Sequence, residues 1–293
     1  MKKNITNYAM SVRTRLLNLM NRTGYKYMYL IARYFNERLL YRVAVSKYKE
    51  HFLLKGGSLL YAINGLETRP TIDVDFMACN INRQSKHLEM VFRDILSYSC
   101  VEDGVLFDLN TLTSQAITVD AEYPGTRLHV TAHMDTIVYP MTIDIGFDDV
   151  VTPSPTLVDY PILLDNVPEI SIWAYSLETV IAEKFHTMIV RDVFNSRMKD
   201  YFDCYQILLN EVLDESVLYD AVKNTFDNRK IPFNPDLNLF TDSFFLDPGR
   251  QQRWSLFLKK IQWKEPLAFK DVMMTIKKRL QGFYDKYWTE TLN

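Results

Sequence analysis

The stretch that decides the fold is Lys55-Gly56-Gly57-Ser58, followed after a loop by Ile72-Asp73-Val74-Asp75-Phe76. The first segment follows the apolar run Phe52–Leu54. It predicts a short strand, a glycine turn and a helix that begins at Ser58, a favourable N-cap residue. The second segment alternates with period two, which is typical of a strand. Since side chains two residues apart on a strand share a face, Asp73 and Asp75 are expected to project together.

These two segments carry complementary chemistry. Neighbouring carboxylates repel each other unless a positive charge lies between them, and a divalent cation supplies that charge. Mg²⁺, with Mn²⁺ as the alternative, suits such oxygen ligands because it binds a few carboxylates together with substrate phosphates. Gly56 and Gly57 let the backbone approach a ligand closely, and the first turn of the next helix presents N–H groups to an anion. A site equipped for phosphoryl transfer is therefore predicted.

A third carboxylate is expected on a neighbouring strand, and Asp144 in the run Met141–Phe147 fits that position. Ile143 and Ile145 face the other way, so one acidic side chain stands on an otherwise apolar strand. Asp144 is interpreted as the general base for an attacking hydroxyl or as a further metal ligand. A carboxylate at a strand end near the surface is the alternative.

Further along the chain, Lys184 and Arg191 are seven residues apart and so share one face of a predicted helix. Lys184 is a candidate contact for the β- and γ-phosphates of a nucleotide. Asp200 and Asp203 follow on the next predicted helix, where they could position Lys184, contact the substrate, or only pair with neighbours. Arg69, in the loop before Asp73, is interpreted as a substrate contact or as a brace for that loop.

The composition excludes several protein classes. The chain has 293 residues, of which 47% are hydrophobic and 24% charged, as in ordinary globular proteins. Three cysteines without CxxC spacing argue against a disulfide framework or a zinc ribbon, and favour a reducing cytoplasm. No run of eighteen uncharged apolar residues occurs, so a membrane span is not expected.

Charge is unevenly distributed, although the net charge is only −2. Residues 1–55 hold twelve Lys/Arg against two Asp/Glu, whereas residues 70–170 hold four against sixteen. An acidic middle between basic flanks would suit a metal centre whose flanks bind a polyanion. Ordinary solvated helix faces, including the stretch Arg33–Arg42, would give the same pattern.

The local patterns predict a long helix over Tyr25–Tyr48 and another over Arg83–Tyr98. Strands are predicted at Val105–Leu109, Ser114–Val119, Thr126–Ala132 and Tyr139–Phe147. Pro124-Gly125 predicts a hairpin turn between two of them.

Beyond these strands, four prolines in residues 153–168 predict an extended connector, and helical patterns return after Ser176. We therefore expect an α/β (α+β) fold with a mixed sheet. Its three parts would be a helical arm over residues 1–50, a catalytic core over residues 51–168 and a helical domain over residues 169–293.

Gly-Ser followed by Asp-x-Asp resembles the signature of the DNA polymerase β-like nucleotidyltransferase superfamily. The extended pattern is similar to that of the abortive-infection nucleotidyltransferase toxins of the AbiEii/AbiGii type. The resemblance runs from about Lys55 to Leu209. It is carried by Lys55–Ser58, Arg69–Phe76, Ile143–Phe147, Glu183-Lys184, Arg197, Lys199, Asp200 and Asp203.

This resemblance implies the minimal nucleotidyltransferase fold and transfer of a nucleotidyl group from an NTP, with Mg²⁺, to an acceptor hydroxyl. It implies that Gly57 and Ser58 hold the triphosphate, that Asp73 and Asp75 hold the metal, and that Lys184 binds or activates the nucleotide. An acid in the Asp200–Asp203 region matches the last motif of the family, and Asp203 follows the more typical aromatic-x-Asp pattern. Members are toxins opposed by a separately encoded antitoxin, and some add nucleotides to the tRNA 3′ end.

The sequence therefore predicts a cytoplasmic nucleotidyltransferase toxin of an abortive-infection (phage-defence) toxin–antitoxin system, with an RNA acceptor such as tRNA. The predicted catalytic residues are Asp73, Asp75, Asp144, Lys184 and Asp203. The predicted nucleotide contacts are Gly57, Ser58, Arg69 and Lys184, and the predicted metal ligands are Asp73, Asp75 and Asp144. A small-molecule or protein nucleotidyltransferase and a non-catalytic nucleotide-binding module remain as alternatives.

Overall fold

The structure is a computed structural model that describes residues 7–119 and 123–292. The chain divides into two compact units. The first comprises Met1–Asp148 with Thr156–Tyr175, and the second comprises Asp149–Pro155 with Ser176–Asn293.

The described part of the first unit combines helices with one β-sheet. Its α-helices are α1 (Tyr8–Thr23), α2 (Tyr27–Val45), α3 (Gly56–Asn64) and α4 (Ser85–Leu96). Its strands are β1 (Phe52–Lys55), β2 (Val74–Ala78), β3 (Leu106–Val119), β4 (Tyr123–Met134), β5 (Ile137–Gly146), β6 (Thr156–Tyr160) and β7 (Ile170–Ala174).

All seven strands form one sheet in the order β3-β4-β5-β2-β1-β7-β6. Strand β2 runs parallel to β5 and β1 runs parallel to β7, whereas the other neighbours are antiparallel. The predicted α/β class with a mixed sheet is confirmed.

The two faces of the sheet differ in polarity. Along β5, Ile143 and Ile145 are buried while Asp144 is only half-buried, as period-two alternation requires. On the apolar face, Phe52 of β1 and Phe76 of β2 pack with Phe92 of α4, with ring centroids 5.1–6.4 Å apart. The opposite face is therefore the one that carries the acidic side chains of β2 and β5.

Helix α2 contains neither Gly nor Pro and is buried along most of its length, including three arginines. Arg33 donates a hydrogen bond to the Tyr160 hydroxyl, Arg38 pairs with Glu37 at 2.6 Å, and Arg42 pairs with Asp103. All three are at most 1% exposed. The interpretation of Arg33–Arg42 as a solvated face or a phosphate-binding surface is wrong, because these arginine side chains are buried inside the first unit.

The described part of the second unit is helical except for its first segment. Its helices are α5 (Leu177–Arg191), α6 (Met198–Asn210), α7 (Glu215–Asn228), α8 (Asp242–Leu246), α9 (Pro248–Ile261) and α10 (Phe269–Leu292). Side-chain caps at Ser176, Asp214 and Asp247 accept hydrogen bonds from first-turn amides of α5, α7 and α9. The helices predicted after Ser176 are confirmed.

Segment Asp149–Pro155 belongs to this helical unit although the chain then returns to the sheet. The Thr152 carbonyl accepts hydrogen bonds from the hydroxyls of Ser176 and Thr179, and the Thr152 hydroxyl accepts one from Asn224. Arg229 donates to Asp149 at 2.6 Å. These contacts attach the segment to α5 and α7.

Three local predictions in the sheet region are wrong. Pro124-Gly125 is not a turn, since both residues lie in β4, and residues 120–122 between the paired strands lie outside the described residues. The two strands predicted before it are one strand, β3, whose pairing is irregular between Asp108 and Thr113. The predicted connector over residues 153–168 contains β6, an edge strand, which is where prolines can flank a strand without breaking a ladder.

Within the described residues, the search for a helix long and apolar enough to cross a membrane finds none.

Candidate active site

The turn between β1 and α3 brings the backbone close to Asp75 of strand β2. Gly56 has φ +66°, and a Cβ placed there would lie 2.3 Å from Oδ2 of Asp75. A Cβ on Gly57 would lie 2.8 Å from Thr71. Only glycine combines this backbone conformation with so close an approach, so the first turn of α3 lies directly against the Asp75 carboxylate.

Ser58 has a different local role from the one predicted. Helix α3 begins at Gly56 with Lys55 as its N-cap, so the prediction that Ser58 is the N-cap residue is wrong. Gly56 has a positive φ, which lets the chain turn and the helix begin there. The helix therefore starts two residues earlier than the N-cap preference of Ser58 predicts. The fully buried Ser58 hydroxyl donates a hydrogen bond to the Asp73 carbonyl at 3.2 Å.

A second buried side chain holds the same loop. Asn36 of α2 is 1% exposed and donates from Nδ2 to the Ile72 carbonyl at 3.0 Å. Ser58 and Asn36 thus bind two consecutive carbonyls just before β2. Asp73, which is exposed at the end of this loop, is positioned from two helices. Arg69 lies earlier in the loop and is half-buried.

Four charged residues form a row across the polar face of the sheet. Lys55 of β1 is paired with Asp75 of β2, Asp75 with Asp144 of β5, and Asp144 with Arg127 of β4. Directly paired residues on neighbouring strands project to the same face. The sheet register therefore brings Asp75 and Asp144 side by side and flanks them with one cation at each end. Lys55 also reaches the Tyr175 hydroxyl, at 3.3 Å.

Arg127 is the residue of this row that the sequence analysis missed. Its Nε and Nη2 donate to the two carboxylate oxygens of Asp144 at 2.7 and 2.6 Å. The pKa of Arg127 is raised, first by the hydrogen bonds to Asp144 and also by the charges of Asp73 and Asp75. The guanidinium therefore lies within the field of all three carboxylates. A lone arginine in the strand Thr126–Ala132 was the available signal.

The second unit carries a separate charged cluster around Lys184. Its ammonium donates to Asp200 at 3.0 Å and to Asp203 at 2.8 Å, and both aspartates are at most 2% exposed. Arg197 donates to the other oxygen of Asp200 at 2.5 Å. Burial opposes the charge of Asp200, but Lys184 and Arg197 outweigh it and hold the pKa of this carboxyl well below its usual range. Both aspartates therefore contact Lys184 directly. This contact fits two of the roles left open for them, positioning Lys184 and pairing with a neighbour.

Cys204 follows Asp203 on α6 and is fully buried. Burial is the main cause that raises the pKa of this thiol far above its usual range. A thiol held in its neutral form is a packed side chain rather than a nucleophile.

The residues beside the glycine turn fit a divalent cation of the Mg²⁺ type. Asp73 and Asp75 offer hard oxygen donors, and the missing Cβ of Gly56 leaves the α3 backbone next to the Asp75 oxygens. Among residues 7–119 and 123–292, no group of three or more His, Cys, Asp or Glu side chains is arranged as a metal site. Asp73 and Asp75 could hold such a cation together with oxygens from a substrate.

A mixed sheet that places an Asp-x-Asp pair against the glycine turn of a helix defines the nucleotidyltransferase class. The model of the family described as nucleotidyl transferase AbiEii toxin, type IV TA system, matches residues 38–275, and the chain belongs to this family of nucleotidyltransferases. Membership implies a nucleotide substrate and a cognate antitoxin.

Two solved structures from H. pylori are similar to this chain, each at 14% sequence identity. One is provisionally described as a nucleotidyltransferase; the match covers 92% of this chain and 99% of that chain with a TM-score of 0.49. The other, JHP933, matches over 88% of this chain and 95% of its own with a TM-score of 0.47. No curated protein matches this chain.

Proposed function

We propose that this toxin transfers a nucleotidyl group from an NTP to the 3′ hydroxyl of an RNA such as tRNA, with Mg²⁺ as the cofactor. The observation that carries the proposal is the pairing of Asp75 with Asp144 beside the Gly56 turn. Such a site combines oxygen donors for a cation with a helix N-terminus that binds phosphate. NTP and RNA share the cytoplasm, which is the compartment we propose.

In the proposed reaction, the acceptor hydroxyl oxygen forms a bond to the α-phosphorus while the bond to the bridging oxygen breaks and pyrophosphate leaves. Asp73 and Asp75 would hold the cation, and the first turn of α3 with Gly57 would bind the triphosphate. The cation, when bound, supplies neutralisation of phosphate charge. Asp144 would take the hydroxyl proton or complete the ligand set, the two roles predicted for it.

The proposed functional residues also include Lys184, Asp203 and Arg69. Lys184 would contact the β- and γ-phosphates, and Asp203 would keep its ammonium in place through the 2.8 Å hydrogen bond. We propose Arg69 as a further nucleotide contact on the loop that leads to Asp73.

An RNA acceptor is favoured by exposed basic groups outside the buried arginines of α2. From Gly249 to Lys264 the chain contains no acidic residue, and four of its basic side chains are exposed. They are Arg253, Lys259, Lys260 and Lys264. Such groups bind phosphates in a salt-dependent, sequence-independent manner, which suits a polynucleotide better than a small acceptor. Protection against phage by RNA modification is the cellular role we propose.

The test is to incubate the protein with Mg²⁺, each α-³²P-labelled NTP and total tRNA. We compare wild type with Asp75→Asn and with Asp159→Asn, which changes an exposed carboxylate on strand β6 of the same sheet. Label on tRNA with wild type and Asp159→Asn, lost at least a hundredfold with Asp75→Asn, is the expected result.

Other distributions of label would contradict parts of the proposal. Label on protein or on a small molecule would keep the nucleotidyl transfer and overturn the RNA acceptor. Absence of label on every acceptor would favour a non-catalytic nucleotide-binding module.

A further inference from the structure

The pairing of Arg127 with Asp144 has a geometry that constrains the metal site. Both carboxylate oxygens of Asp144 accept from one guanidinium, at 2.7 and 2.6 Å. Two parallel charge-assisted hydrogen bonds are strong and directional, and a guanidinium does not lose its proton at any ordinary pH. Asp144 is thus already provided with a full counter-charge in a fixed orientation.

Asp144 also differs from the other two carboxylates in its place on the sheet. Asp75 touches the glycine turn of α3, and Asp73 lies at the end of the loop held by Ser58 and Asn36. Asp144 lies on β5, one strand further from that turn than Asp75 on β2. Neighbouring strands of a sheet are about 4.8 Å apart. Asp144 lies between Asp75 and Arg127 in the row of paired residues. Its position favours interaction with Arg127 over sharing a cation with Asp73.

We propose that Asp144 is not a ligand of the divalent cation. Asp73 and Asp75 hold the cation, and Arg127 is a positioning residue that fixes the Asp144 carboxylate and reduces the negative charge of the cluster. This inference rests on the proposed function because it takes the cation site from it. It gives a role to Arg127, which no sequence motif marked.

Arg127 is expected to lower the affinity of the site for a divalent cation. If Arg127 only stabilised the fold, its removal would weaken the cation site or leave it unchanged. Since it instead offsets the charge of a third carboxylate, its neutralisation should strengthen cation binding. One unit charge close to a divalent cation in a water-like dielectric corresponds to about a tenfold change in affinity.

The experiment titrates the 293-residue protein with Mn²⁺ alone at low ionic strength and measures free Mn²⁺ by electron paramagnetic resonance. We expect Asp75→Asn to weaken binding at least tenfold and Arg127→Gln to bind about tenfold more tightly. The double variant Arg127→Gln with Asp144→Asn removes one charge of each sign, so it should stay within about twofold of wild type if Asp144 is not a ligand. Arg127→Lys keeps the charge without the paired hydrogen bonds and should stay close to wild type.

The matched control is Arg83→Gln, which removes another arginine paired with both oxygens of an aspartate, Asp148, in the same unit. It should leave Mn²⁺ affinity unchanged. Weakening by the double variant to the level of Asp75→Asn would overturn the proposal, as would unchanged or weaker binding in a folded Arg127→Gln variant. If Arg127→Gln alone does not fold, the double variant decides, because it leaves no uncompensated charge from the pair.

These measurements contain neither NTP nor acceptor, so they separate two kinds of failure. A correct Mn²⁺ pattern without labelled RNA would overturn the proposed acceptor and keep the role of Arg127. Labelled RNA with a Mn²⁺ pattern that includes Asp144 would keep the function and overturn the role of Arg127.

Discussion

Lys184 lies in a largely buried ion-pair cluster and is also the proposed phosphate contact. It donates to two buried aspartates, and its own side chain is only 12% exposed. Breaking a buried ion pair by removing one partner leaves an uncompensated charge, which typically costs about 3–5 kcal/mol. Loss of activity in a Lys184 variant therefore has two physical explanations that must be separated.

Lys184→Met is expected to destabilise the protein by about 3–5 kcal/mol, because Asp203 loses its ammonium partner. The double variant Lys184→Met with Asp203→Asn should recover part of this loss, since the buried charge is then removed as well. Denaturant unfolding of the three proteins measures both effects. Equal stability of Lys184→Met and wild type would contradict the pairing.

Lys184→Arg separates the two explanations. It keeps a cation for Asp200 and Asp203, so most of the stability should remain, but a planar guanidinium cannot reproduce the contact of a compact ammonium with phosphates. Reduced labelling in a stable Lys184→Arg protein would support the nucleotide contact. Full labelling would assign Lys184 to stability alone.

At the scale of elements, the start of helix α3 lies against the acidic residues of the candidate site. Its first residue turns the chain with a positive φ, and its first turn supports the Asp75 carboxylate. Gly24, which ends α1 with φ +76°, has the same type of backbone but nothing within 4 Å of an added Cβ. The two glycines therefore separate the effect of backbone conformation from the effect of close approach.

Gly24→Ala should cost about 1–2 kcal/mol of unfolding free energy, because an L side chain is disfavoured in this region, and should leave activity intact. Gly56→Ala adds a contact of 2.3 Å with Asp75, so the carboxylate must move. A displacement of about 1 Å at a reacting centre lowers rates about a hundredfold. Initial rates of labelling and thermal unfolding of both variants check this. Similar activity in the two variants would contradict the role of the turn.

The elements themselves were largely predictable, whereas their pairing was not. Helical periodicity and the absence of breakers identified α2 and α5 to α7, and alternation identified β2 and β5, because these signals are local. The row from Lys55 to Arg127 depends on which strands are neighbours, and β2 and β5 are far apart in the chain. Arg127 could be seen as a lone charge in a strand, but its partner is known only from the register.

The burial of charged side chains could not be predicted from the sequence, for a similar reason. The arginines of α2 have the spacing of a solvated helix face. Arg42 is nevertheless buried and pairs with Asp103. Local spacing does not reveal this partner, because Asp103 lies 61 residues further along the chain. The candidate carboxylates themselves were predictable, because their spacing and not their surroundings identified them.

At the scale of the whole molecule, a buried acid makes stability depend on pH. Glu37 accepts hydrogen bonds from Arg38 at 2.6 Å and from the Leu163 amide at 2.8 Å. Burial outweighs these partners and raises the pKa of Glu37 to about 7. The folded state thus holds this proton more tightly than the unfolded state, whose pKa is near 4.5. Stability is therefore highest below pH 4.5 for this group and falls until about pH 7.

We expect wild type to lose about 2–3 kcal/mol between pH 5 and pH 8 relative to Glu37→Gln, which resembles the protonated form at every pH. Glu50→Gln, a change at an exposed glutamate, should follow wild type. Urea unfolding at both pH values measures the difference. Parallel pH dependence in wild type and Glu37→Gln would show that Glu37 is ionised in both states.

Segment Asp149–Pro155 has a consequence for how such a protein can change over generations. The chain leaves the sheet unit after Asp148, returns at Thr156 and leaves again after Tyr175, so neither unit is continuous in the gene. One recombination event between residues 148 and 176 would either separate Thr152 from α5 and α7 or remove β6 and β7 from the sheet. Exchange of either unit as a cassette needs several coordinated breakpoints, so the two are expected to be inherited together.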